Sequence, residues 1–102
     1  MQDDEIWLGR AFCIPVRGSE KFSPDEIGAV LNFTCQAANI VDATSLIRKE
    51  CLENDLVVMG FEYLMCKAYM DREPSDYEAV LIERLSSYPV QFHDVYTYKS
   101  DG

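Results

Sequence analysis

The chain is poor in the groups that most chemistry requires. It has one histidine, His93, so a metal site built on several imidazoles and a histidine relay are both excluded. Its five glycines, at 9, 18, 28, 60 and 102, fit neither GxGxxG nor GxxxxGK[ST], so no phosphate-cradling loop is written in the sequence. GxSxG and HExxH are missing too. The four cysteines, Cys13, Cys35, Cys51 and Cys66, form no CxxC pair, which removes the local signature of zinc ribbons and thioredoxin-like redox sites and reads them as buried apolar thiols. No calcium-loop alternation of aspartates occurs. Neither a catalytic set, a metal site nor a cofactor site is expected.

Cations are also scarce. Nine Lys and Arg stand against eighteen Asp and Glu, a formal charge of −9. Contact with nucleic acid phosphates, or with an anionic membrane surface, depends on Lys and Arg, so both are disfavoured. A basic protein partner is favoured, drawn in by a negative field. The start, "MQDDEIWLG", is acidic where a signal peptide is basic. The most apolar stretch, "DLVVMGFEYLMCKAYMD" (55–71), is broken by Glu62 and Lys67, well short of the ~18–20 apolar residues of a membrane-spanning helix. A cytoplasmic location is the expectation.

What is present is a globular composition. A chain of 102 residues with 48% hydrophobic content suits one domain, 1–102, large enough for its own core. "FSPDEI" (22–27) carries a capping box, Ser23 with Glu26, a proline at the first helical position and a Phe22–Ile27 staple; Ile27, Val30, Leu31, Cys35 and Ala38 follow at helical spacing. This predicts a helix over 24–38. "PSDYE" (74–78) repeats the capping signal with Ser75 and Glu78, and Tyr77, Leu81, Ile82, Leu85 and Tyr88 give a stripe ahead of Pro89. This predicts a helix over 76–87.

Strands are expected at 6–16, with Ile6, Leu8, Phe12, Ile14 and Val16 on one face, and at 90–98, with Phe92, Tyr96 and Tyr98 together. On a regular strand, His93 and Asp94 would point to opposite faces and could not form a dyad. The 55–71 stretch is apolar on both faces and reads as a central strand. Residues 40–52 read either as a strand or as a short helix begun at Thr44. The strand option gives βαββαβ, a ferredoxin-like sandwich; the helix option adds a third helix. The expected fold is α+β, a small antiparallel sheet with two or three helices on one face.

The candidate binding residues are carboxylates and aromatics. "ECLEND" supplies Glu50, Glu53 and Asp55, and "DREPSDYE" supplies Asp71 and Glu73, all able to grip Lys and Arg of a partner. The backbone demands of Glu50, Glu53 and Asp55 should be small, because they fall in or beside a turn. Tyr96 and Tyr98 are aromatic anchor candidates. In bulk character alone the chain resembles small bacterial immunity or inhibitor proteins. That resemblance implies a non-enzymatic protein neutralising a basic, nuclease-type toxin, and it carries no site residues. The alternative is a ferredoxin-like regulatory or small-ligand domain forming a homodimer through its sheet.

Overall fold

The computed structural model describes residues 2–100, except the side chain of Asp94. Four strands, β1 (Ile6–Pro15), β2 (Glu26–Gln36), β3 (Leu56–Cys66) and β4 (Val90–Lys99), form an antiparallel sheet in the order β3-β1-β2-β4. Helix α1 (Ile40–Glu53) links β2 to β3, and α2 (Asp76–Arg84) links β3 to β4. The fold is a small α+β one, as expected. Its order along the chain is ββαβαβ, however, and that rules out the ferredoxin-like βαββαβ arrangement.

The decisive difference is residues 24–38. Only half of the capping box at Ser23 forms: the Ser23 N–H donates to Glu26 Oε1 at 3.0 Å, but the hydroxyl donates to the same oxygen at 2.7 Å and the Glu26 N–H goes to the Ser23 carbonyl. These bonds close a single turn, after which the chain is extended as β2. Gly28 and the β-branched Ile27, Val30 and Thr34 weaken a helix here. The same residues alternate, with Ala29, Leu31, Phe33 and Cys35 buried on one face, and pairing with both β1 and β4 outweighs the local signal.

Residues 40–53 take the helical option. Asn39 rather than Thr44 is the cap, its side chain accepting from Asp42 N at 2.9 Å. Ala43, Ile47 and Cys51 are fully buried on the sheet, against Ala11, Cys13, Ala29, Leu31, Phe33 and Cys35. Helix α2 has the expected capping box at Ser75 and Glu78 but ends three residues early, at Arg84. Its Ile82 and Leu85 pack with Ile6 and Leu8. Ile6 and Leu8 alternate along β1 with Ala11 and Cys13, so the two helices lie on opposite faces of the sheet, not on one.

Strand β3 is an edge, not a centre. Two register shifts against β1, between Arg10 and Ala11 and between Phe12 and Cys13, change which side chains share a face. Both faces read as apolar partly for that reason. Likewise β4 has an irregularity opposite Leu31–Phe33, which puts Phe92 and Val95 on the α1 face and Tyr96 and Tyr98 on the other.

Gly9 is required by close approach. A Cβ there would lie 2.6 Å from both the Phe33 ring and the Tyr63 carbonyl. Gly60, in the bulged part of β3, has open space around the same position. Gly9→Ala should therefore destabilise by ~1–3 kcal/mol through overpacking, while Gly60→Ala stays within ~1 kcal/mol of the parent. Urea denaturation of the two variants checks this, and equal effects would contradict the packing assigned to Gly9.

Candidate functional site: the open half of the sheet

Helix α2 begins over the middle of the sheet and runs toward Ile6. Tyr77, its second residue, stacks on His93 of β4 with ring centroids 4.6 Å apart. Its far end, Leu85, meets Ile6 and Leu8. Beyond Tyr77 nothing among the described residues covers that face. Phe12 and Ile14 of β1, Val57 of β3, and Tyr96 and Tyr98 of β4 are exposed there, Phe12 by 46% and Tyr96 by 56%. Val30 of β2 lies between them, paired with Phe12 on one side and Tyr96 on the other. The Phe12 and Tyr98 rings are 6.1 Å apart, and the Tyr98 ring lies over Gly28, where a Cβ would come within 2.9 Å of it. Met59 extends the platform along β3.

A polar band closes the platform at the α2 end. Arg10 Nε donates to Asn32 Oδ1 at 2.8 Å, and its Nη1 donates to Glu62 Oε2 at 3.0 Å. The guanidinium lies 5.6 Å from the centre of the Tyr63 ring. The hydrogen bond to Glu62 raises the arginine's already high pKa. Burial, then a hydrogen bond with Tyr77, pushes the Tyr63 hydroxyl up to about 12, so it remains a neutral hydrogen-bonding group. Arg10, Phe12, Val30, Asn32, Glu62, Tyr96 and Tyr98 enclose a shallow hollow of about 430 Å³.

The start of α2 is fixed by an ion pair between a buried carboxylate and an exposed guanidinium. Arg72 donates to both oxygens of Glu78, at 2.7 and 3.1 Å, and the Ser75 N–H donates to Glu78 Oε1 at 2.8 Å. Glu78 is buried although charged, and its partners lower its pKa, Arg72 most of all. The geometry holds a rigid step at the platform's edge, and among the described residues it contains no nucleophile with its base. His93 is stacked on Tyr77 rather than presented to a hydroxyl or thiol. All four cysteines are buried and free, and burial pushes the Cys35 thiol up to about 12. Among the described residues no group of three or more His, Cys, Asp or Glu is placed to hold a metal ion. Among the described residues no helix is long and apolar enough to cross a membrane.

Of the residues singled out from sequence, the structure brings only Tyr96 and Tyr98 to this platform. Glu50 and Glu53 lie on α1, behind the sheet; Glu50 accepts from the Tyr88 hydroxyl. Asp71 and Glu73 are exposed in the segment leading to α2. Asp55 is not a permissive turn position: it has φ of 62°, its carboxylate accepts from Ser19 Oγ at 2.8 Å, and its carbonyl accepts from Val16 N. Phe12, Ile14, Val30 and the Arg10–Glu62 pair were missed. The signal for Phe12 and Ile14 was the apolar even-numbered face of β1, which continues past the Ile6 and Leu8 that α2 covers. No family model, curated protein or solved structure matches this chain.

The Glu78 pair makes a pH prediction. A carboxyl whose pKa is lowered in the folded state stabilises it above the ordinary value of 4.5 and loses that contribution as pH falls through the lowered one. Unfolding free energy should drop as pH falls below 4.5, and the drop should be smaller in Glu78→Gln. Denaturation curves between pH 6 and pH 2 measure this; parallel curves for the two proteins would refute the pairing.

Proposed function

We propose that the chain is a non-enzymatic binding protein that holds a basic protein partner against the open half of its sheet. The observation that carries this reading is the platform of Phe12, Ile14, Val30, Tyr96 and Tyr98, uncovered and bounded by a fixed polar step. Aromatic side chains on a rigid sheet are strong anchors, because little side-chain entropy is lost when a partner covers them. Contiguous exposed apolar surface of this kind is characteristic of interaction sites. The charge of −9 supports the choice of partner: it speeds encounter with a basic surface and repels nucleic acid. Glu62 on the band, and Asp76 opening α2 at the same level, offer carboxylates to a partner's Lys or Arg. A nuclease-type toxin, whose substrate cleft is basic, belongs to the class of partner such a surface would neutralise.

The test is capture from the native host with the parent protein and a Phe12→Ala/Tyr98→Ala variant, followed by association kinetics on the recovered protein. A basic protein should be retained by the parent, and the double variant should lose ~2–4 kcal/mol of affinity. Raising salt should lower the on-rate. Glu50→Lys/Glu53→Lys, on the opposite face, should slow association through the long-range field and leave dissociation unchanged. Recovery of no basic protein, or equal binding by the parent and the Phe12/Tyr98 variant, would defeat the reading.

A further inference from the structure

The two edges of the sheet are not alike. Edge β3 is interrupted by two bulges, and Arg48 of α1 donates to its Val58 carbonyl at 3.1 Å. Both features hinder another strand from joining there. Edge β4 also has two register shifts against its neighbour, opposite Leu31–Phe33 and between Glu26 and Gly28, but the second places its extra residue on β2, so β4 itself runs without an inserted residue from Val95 to Lys99, "VYTYK", rich in β-branched and aromatic residues. Among the described residues, no side-chain hydrogen bond reaches the backbone of Val95–Lys99 (the Gln91 side chain, nearest in sequence, donates to Arg84 and Tyr88).

The direction of the free groups follows from the ladder. The Ser100 N–H donates to the Asp25 carbonyl at 2.8 Å, on the β2 side. Backbone groups alternate along a strand, so Tyr98 and Tyr96 also face β2, while Val95, Thr97 and Lys99 turn their N–H and C=O groups outward. In a chain of charge −9 this stretch carries no carboxylate and one lysine. The nearest described carboxylate is Glu26 of β2, which is engaged with Ser23 and Thr97 and balanced in part by Lys99, so two copies can approach along this stretch with little acid brought against acid.

We propose that β4 is a homodimerisation edge, pairing antiparallel with β4 of a second copy about a two-fold axis at Thr97. That centre makes Thr97 face its own copy as a hydrogen-bonded pair and sets Val95 opposite Lys99 on each side. Tyr96 then faces Tyr98 of the other copy as a non-hydrogen-bonded pair, where side chains approach most closely. The two sheets become one of eight strands, and the two platforms become neighbours on one surface. Edge pairing buries less than the ~800 Å² per partner of a standard interface, so the dimer is a weak one.

The experiment is sedimentation equilibrium of the isolated protein over a range of concentration and salt, with circular dichroism as the folding control. The parent should pass from monomer toward dimer by about 1 mM chain. Added salt should strengthen the association, because like-charged chains are being brought together; this is opposite in sign to the binding of a basic partner. Val95→Lys, set against Lys99 of the other copy, should weaken dimerisation at least tenfold. Val95→Glu should tighten it. Thr97→Pro removes the outward N–H, together with the hydroxyl that hydrogen-bonds Glu26, and should also weaken it at least tenfold. A strict monomer at about 1 mM, or equal association by Val95→Lys and Val95→Glu, would overturn the proposal. So would a dimer indifferent to all three substitutions but lost in Phe12→Ala/Tyr98→Ala, since that dimer would join through the platforms. None of these outcomes depends on whether a basic partner exists.

Discussion

A length mismatch governs this molecule. Helix α2 has nine residues and therefore spans ~14 Å, whereas the ten residues of β1 extend ~33 Å. One helix of that length can cover less than half of the sheet face on which it lies. It is pinned over the Ile6 half by Leu85 at one end and by the Tyr77–His93 stack and the Arg72–Glu78 pair at the other. The remaining half is left open. On the other face the fourteen residues of α1 reach ~21 Å, and Phe22, from the loop between β1 and β2, supplements the cover. The same sheet thus has one face that is core along most of its length and one that is core for only half of it.

This division explains which parts of the fold were legible in sequence. The start of α2 was readable because Ser75 and Glu78 act on backbone groups within their own turn. Ser23 and Glu26 make only half of that pattern, since the Ser23 hydroxyl donates to the Glu26 carboxylate instead of accepting from the Glu26 N–H, and no helix follows. A capping box stabilises a helical start without supplying the turns that come after it, and those turns depend on what the apolar face packs against. For residues 26–36 two neighbouring strands were available on either side, and alternation of Ala29, Leu31, Phe33 and Cys35 satisfied them. The helical spacing of Ile27, Val30 and Leu31 was present in the same letters. Only the tertiary partners distinguish the two periods.

The platform was half legible for a related reason. Tyr96 and Tyr98 attracted notice as tyrosines near the end of a strand. Phe12 and Ile14 did not, because an apolar side chain on an alternating strand is ordinarily core. They share a face with Ile6 and Leu8, and nothing in the local sequence separates the buried pair from the exposed pair. What separates them is where α2 begins, a property of a segment more than sixty residues away. Edge and centre were similarly hidden in β3, since the bulges that shift its register arise only in pairing with β1.

The arrangement also shows how an exposed apolar surface is kept rigid. The strands beneath the platform are held from behind by α1, through Ala43, Ile47 and Cys51, all inaccessible to solvent. At its border the platform is held by Arg10, which is committed to Asn32 and Glu62 and so cannot collapse over Phe12. Tyr98 is held flat by the absence of a side chain at Gly28. Each exposed ring therefore keeps its position without a contact on its outer face. Preorganisation of this kind lowers the ordering cost that binding must overcome. It also separates two demands that compete in small proteins: stability resides in the α1 face and the Ile6 half, while the Phe12 half, fixed in shape, is left available for a partner.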